Sequence, residues 1–131
     1  MFNRKTILAL MASGMMALGA LPALAEKVIV EGSFEGASGH ATSGTGQLVK
    51  LDDGSYVIRF GADFVHDGTA PDATVGLGKD GYDKATDLGK LRENAGAQEY
   101  ALPAGFDPAG YNEIYVWCTE FAVSLGVAKA K

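Results

Sequence analysis

Beyond residue 25 this chain has no methionine: Met1, Met11, Met15 and Met16 all lie in the first stretch. It has one cysteine, Cys118, one tryptophan, Trp117, and two histidines, His40 and His66. Each shortage closes a route. A lone cysteine cannot form an internal disulfide, so its thiol is buried, bound, paired with another molecule or reactive. Without C-x-x-C-H there is no covalent haem attachment. Without Met, a non-covalent haem would have only the Cys118 thiolate or a His as axial ligand. No G-x-S-x-G elbow and no H-E-x-x-H pair occurs, which leaves hydrolase chemistry without a motif. Basic residues are scarce as well: past residue 25, nine Lys and Arg face sixteen Asp and Glu, a net charge of −7. Such a surface repels nucleic acid and anionic lipid, and neither is expected as a partner.

What is present begins with an address. Arg4 and Lys5 precede an uncharged, mostly apolar stretch from Thr6 to Ala20, and Pro22 stands before Ala23-Leu24-Ala25. Basic start, apolar centre and small-x-small ending form the pattern of a cleaved signal peptide. Residues 1–25 are therefore expected to be removed after Ala25, and residues 26–131 to form one exported domain, periplasmic or secreted. Once the leader is gone, no apolar run long enough to span a bilayer remains.

The domain reads as all-β. Lys27–Glu31 is apolar and β-branched, and the Gly-rich stretch from Gly32 to Gly46 ends it. Gln47–Leu51 and Ser55–Phe60 flank Asp52-Asp53-Gly54 and predict a hairpin, with Tyr56, Ile58 and Phe60 on one face. Thr74–Leu77, Leu88–Leu91 and Glu99–Leu102 are further extended candidates, and Lys79–Asp87 reads as a polar loop. Ile114–Cys118 has the composition of a buried strand, with Ile114, Val116 and Cys118 on one face and Tyr115 and Trp117 on the other. Trp117 is expected to be substantially buried. Phe121–Val123 is expected to be extended and Val127–Lys131 to fray. No segment carries a 3.6-residue apolar period, and sixteen of the 106 residues past 25 are Gly, about twice ordinary usage. Short strands with Gly-rich turns predict a single antiparallel β-sandwich or small barrel.

Candidate chemistry is sparse. Gly36–Gly46 lacks the Lys-Ser/Thr ending and following helix of a phosphate loop. Asp80, Asp83 and Asp87 lack the ligand spacing of a calcium loop. His40, His66 and Cys118 are nominally a copper ligand set, yet no His follows Cys118, which disfavours copper. Cys118 itself admits two readings. Flanked on its face by Ile114 and Val116, it is a small core hydrophobe. As a redox thiol or cofactor ligand it would need a cation or metal nearby. Glu113 and Glu120 work against that, so the cation would have to come from elsewhere, such as Arg59 or Arg92.

The ordered set GSFEGASGHATSGTG, SYVIRFGADF, APDATVGLG, DLGKLRENAGAQEYALPAG and YNEIYVWCTEFAVSLGVA resembles the DM-thirteen domain, a small extracytoplasmic module proposed to serve electron transfer. The similarity covers nearly all of residues 26–131. It implies an all-β domain related in outline to the haem-binding DOMON sandwiches. It also implies a hallmark cysteine, here Cys118, as redox thiol or haem ligand, acting with an exported redox or surface protein. By the same resemblance His40 falls in the first Gly-rich motif, as a second candidate cofactor-binding residue, and Asp72 in the Pro-Asp motif. Thr74 and Gly76 stand where the family more often has bulkier residues, and His66 matches no family position. The alternative is a non-catalytic binding or structural β domain, with Cys118 in the core and a surface patch of Tyr82, Tyr100 or Phe106.

Overall fold

The computed structural model describes residues 26–131, so the signal-peptide reading of residues 1–25 falls outside the described residues. The chain runs through β1 (Lys27–Gly36), β2 (Thr42–Ser43), β3 (Thr45–Lys50), β4 (Tyr56–Phe60) and β5 (Val65–His66). It continues through β6 (Ala73–Gly78), β7 (Tyr82–Asp83), β8 (Gln98–Ala101), β9 (Glu113–Cys118) and β10 (Val123–Lys129). The one helical piece among the described residues is a single 3-10 turn at Lys84–Thr86. Eight strands form one strongly curled, half-barrel sheet in the order β7-β6-β9-β10-β1-β3-β4-β8, and every neighbouring pair is antiparallel. β2 and β5 pair separately. The all-β expectation holds.

Register assigns the faces. Val30 lies opposite Leu48, Leu48 opposite Ile58, and Ile58 opposite Tyr100. On the other half Leu77, Val75 and Ala73 lie opposite Ile114, Val116 and Cys118. The curl folds these two inner rows against each other, around Phe34, Phe60 and Phe64, into one apolar cluster. The three Phe rings sit 4.5–5.4 Å apart, the spacing at which aromatic pairs add to plain area burial. Gly46 makes room for them: a Cβ there would stand 2.9 Å from the Phe34 ring.

The β3–β4 hairpin forms as its sequence predicts. Gly54 takes a φ of 89°, and Asp53 Oδ1 accepts from the Ser55 N–H and hydroxyl. Near the C-terminus the sequence misleads. Residues 119–122 are a turn, with Ala122 at a φ of 54°, and β10 then runs as a strand to Lys129. Phe121 is thus in the turn, 66% exposed, and Val127–Lys129 is paired rather than frayed. Leu88–Leu91 runs beside β6 as an isolated bridge from Lys90 to Thr74, with the Leu88 and Leu91 N–H groups donating to the Val75 and Ala73 carbonyls. The polar loop from Lys79 to Asp87 holds β7 and the 3-10 turn.

A bulge interrupts the ladder between β9 and β10. The register slips there, Ser124 facing Trp117 and Gly126 facing Val116, which leaves Leu125 as the extra residue. Its freed carbonyl accepts the Ala37 N–H at 3.1 Å and the Thr42 hydroxyl at 2.9 Å.

Candidate functional site

Cys118 closes β9 on its inner face, opposite Ala73 of β6 and Val123 of β10. Its side chain is 1% exposed and belongs to the same cluster as Val116, Leu125 and Phe64. The cations a thiolate would need do not come from the expected places. Arg59 is committed to Glu26 and Glu99, and the Arg92 guanidinium lies over the Tyr100 ring at 4.2 Å.

Cys118 nevertheless ends its row. Ala73, directly opposite, lines a cleft of about 220 Å³ together with Pro71, Asp72, Lys90, Asn94 and His66. Directly opposed residues in an antiparallel ladder place their Cβ atoms about 5 Å apart. The thiol therefore lies behind the cleft wall rather than on it. Haem ligation does not fit the side chain as it stands: Cys118 is 1% exposed, so an iron would reach its sulfur only after the wall formed by Ala73 and its neighbours opened. Among the described residues, no three His, Cys, Asp or Glu side chains stand ready to hold a metal, so His40, His66 and Cys118 do not form a copper triad.

What the fold does assemble is a polar knot where β2 meets β5. Thr42 faces His66 in register, and His66 is buried with its side chain 0% exposed. Asp67, beside it, accepts the Ala41 N–H through Oδ2 and the Thr69 N–H and hydroxyl through Oδ1. His40 Nδ1 stands 3.2 Å from that same Oδ1 and 3.0 Å from Thr69 Oγ1. The two backbone N–H donors, with smaller help from His40 and Thr69, hold the Asp67 carboxyl far below the usual carboxylate range. Burial pushes the His66 imidazole down, with Asp67 acting in the opposite direction. His40 is thus hydrogen-bonded with Asp67 and Thr69, and the ring of His66 lies beside it with its centroid 6.0 Å away. The bond from His66 to Thr42 escaped the sequence reading because the two residues are 24 positions apart and neither sits in a recognisable spacing.

The outer face of β6 and β9 carries a second feature. Tyr82 stacks on Trp117 with centroids 4.3 Å apart and planes 16° from parallel, and Tyr115 meets both edge-on. Gly76 explains the fit: a Cβ there would lie 2.8 Å from the Tyr82 ring, so the small residue is what lets the ring rest on β6. Trp117 is covered over most of its surface, as expected, and its outer side borders a groove of about 530 Å³ with Asp83, Lys84, Asp87 and Thr119. Beneath the stack the buried Glu113 accepts the Gly81 N–H at 2.7 Å and the Tyr115 hydroxyl at 2.9 Å. Burial, then the Glu113 bond, push the Tyr115 phenol well up; burial and Asp87 push Tyr82 up to about 12. Of the residues expected to offer a surface patch, Tyr100 is a core residue and Phe106 is half-buried against that core, while Tyr82 borders the outer groove.

Comparison with curated proteins and with solved structures gave no match. The family model described as electron transfer DM13 matches residues 33–130, from the second half of β1 to just past the end of β10. That span includes all of the sheet but the first part of β1, and well over half of the chain, and on it the chain belongs to the electron transfer DM13 family.

Proposed function

We propose that this is an exported electron-transfer domain that exchanges electrons with another exported redox or surface protein, and that Cys118 is its redox side chain. The observation that carries the reading is the position of the only thiol in a chain of this family. It sits at the last inner position of β9, opposite Ala73 at the rim of the cleft, and not midway along the core. A thiol there is shielded from casual oxidation yet lies one residue behind an open cleft. The same burial speaks for thiol chemistry over haem ligation. In the step envisaged, an oxidised partner takes one electron from the Cys118 sulfur, the S–H proton leaves to water, and reduction reverses both.

A second reading has an observation in its favour: the sulfur lies in hydrocarbon without a cation, as a purely structural cysteine would. Cys118→Ser and Cys118→Ala separate the two. The wild-type chain, purified from its exported compartment, should give a reversible wave in protein-film voltammetry, and both variants should lose it while keeping their circular dichroism. Retention of the wave in Cys118→Ala would leave Cys118 as core alone. In that case Ala should also be the better tolerated variant, since Ser buries a hydroxyl at a cost of about 1–3 kcal/mol. Fast labelling of the native thiol without denaturant would equally end the shielded-thiol model.

A further inference from the structure

The outer face of β9 is turned away from Cys118, and beside Trp117 it leaves a groove. Its volume of about 530 Å³ lies within the range of about 300–1,000 Å³ usual for small-ligand sites. One wall is aromatic. Tyr82 covers one face of the indole, and Tyr115 meets both rings edge-on, so Trp117 is held in place before any ligand arrives. The side chains that face this wall are polar: Asp83, Lys84, Asp87 and Thr119.

Hydrogen-bond accounting narrows the ligand. Asp83 already accepts the Ala85 N–H through Oδ1 and the Tyr111 hydroxyl through Oδ2. Asp87 accepts the Gly89 N–H through Oδ1, which leaves Oδ2 of this exposed residue to a ligand. Thr74 gives its hydroxyl hydrogen to the Trp117 carbonyl, so Thr119, at 3.1 Å, donates to Thr74 and keeps its lone pairs. Lys84 is an exposed donor. Two carboxylates against one ammonium, on a domain of net charge −7, turn an anion away. A cation would meet Lys84, and both Asp83 oxygens already have donors. A hydrocarbon would take water from four polar side chains and return no hydrogen bond. A neutral molecule rich in hydroxyls satisfies every group, because each hydroxyl both donates and accepts.

We propose that this groove binds a neutral saccharide, with the C–H groups of one sugar ring against Trp117 and its hydroxyls shared among Asp87, Thr119 and Lys84. A sugar ring combines the two surfaces the groove presents. Its C–H groups, slightly positive, suit the negative face of an aromatic ring. Its rim of hydroxyls donates to Asp87 Oδ2 and Thr119 and accepts from Lys84. The site lies on the other face of β9 from Cys118 and is independent of the electron-transfer proposal.

The test uses the full exported chain, titrated with cellobiose, maltose and N,N′-diacetylchitobiose by calorimetry and by ¹⁵N–¹H NMR. Trp117 is the only tryptophan, so its indole N–H gives one assigned signal. At least one disaccharide should shift that signal saturably, together with the amides of residues 82–87 and 117–122. Retention on solid cellulose or chitin, against binding of the disaccharides alone, tells a polysaccharide from a free sugar. Trp117→Ala should weaken binding by about tenfold or more, and Asp87→Ala by about threefold or more. If Trp117→Ala does not fold, Asp87→Ala and the pattern of shifted amides decide. Cys118→Ala should bind as the wild type does, which separates this site from the redox reading. No saturable shift with any of the three sugars overturns the proposal. So does binding that survives Trp117→Ala or Asp87→Ala unchanged, or saturation by tetramethylammonium in place of sugar.

Discussion

The outer face of the sheet is finished in two different ways. On β1, β3, β4 and β8 it presents a row of Glu31, Gln47, Arg59 and Glu99, each opposite the next in register. Gln47 Nε2 donates to Glu31, and Arg59 pairs with Glu99 and with Glu26. These charges stay largely in water. On β6 and β9 the outer face instead carries Tyr82, Tyr115 and Trp117 over a buried Glu113. A carboxylate thus appears in both halves under opposite conditions. On the charged half it keeps its hydration and is nearly free to leave. On the aromatic half it has given up water for two protein donors, and those donors depend on it. On the aromatic half, β7 and the 3-10 turn fold back against β6 and bring the Tyr82 ring over Gly76.

The sharpest test of that contrast is to remove one carboxylate from each half. Glu113→Ala orphans the buried Tyr115 hydroxyl, which should cost about 1–3 kcal/mol, and frees the N–H of the exposed Gly81. Glu99→Ala removes an exposed pair and should cost about 0.2–1 kcal/mol. Denaturant midpoints measured side by side decide the matter, and equal losses would erase the distinction. Next in size, Gly76→Ala drives a methyl against the Tyr82 ring and the Thr86 hydroxyl, an overpacking of about 1–3 kcal/mol, with a changed near-ultraviolet dichroism from the Trp117 stack.

Alkali should weaken only the aromatic half. Tyr82 and Tyr115 keep their protons in the folded chain to a higher pH than when unfolded. The folded state therefore binds more protons above pH ~10, and stability falls from there as pH rises toward about 12. Tyrosinate absorbance in a pH titration should reveal Tyr82, Tyr111 and Tyr115 as late phenols, with Tyr82 and Tyr115 appearing together with unfolding. The smallest effect is reserved for salt. Raising the ionic strength to about 1 M should shift the midpoint by less than about 1 kcal/mol, because the Arg59 pairs lie at the surface and are readily screened.

The halves also differ in how far they could be read from sequence. The β3–β4 hairpin was legible because Asp52-Asp53-Gly54 supplies a turn with its own chemistry, and β9 because Ile114–Cys118 is an unbroken buried-strand composition. The β10 boundaries were not. Its turn places Ala122, a residue with no turn preference, at positive φ, so no local signal marks it. Gly126 looks like a strand end yet sits in mid-strand, because a Cβ there would lie 2.6 Å from the Thr42 side chain. The burial of Trp117 was legible, but a sequence cannot state which groove borders its ring. The setting of His66 was invisible for a related reason: its burial and its contact with Thr42 arise from the β2–β5 pairing. The family and its cysteine were legible as an ordered set of motifs. The placement of that cysteine behind Ala73 needed the register.

The extra residue at Leu125 reaches further than the geometry of one strand. Its carbonyl claims the Thr42 hydrogen, and that claim dictates which nitrogen of His66 keeps a proton. A backbone irregularity in β10 is thereby written into the electronic state of an imidazole 59 positions earlier in the chain. Ring ¹⁵N shifts of His66 are in effect a gauge of strand register: any variant that slides β10 by one residue removes the carbonyl, frees the hydroxyl hydrogen and lets the tautomer exchange. The C-terminal strand can then be followed, without labelling it, from a single side chain at the opposite end of a hydrogen-bond chain two links long.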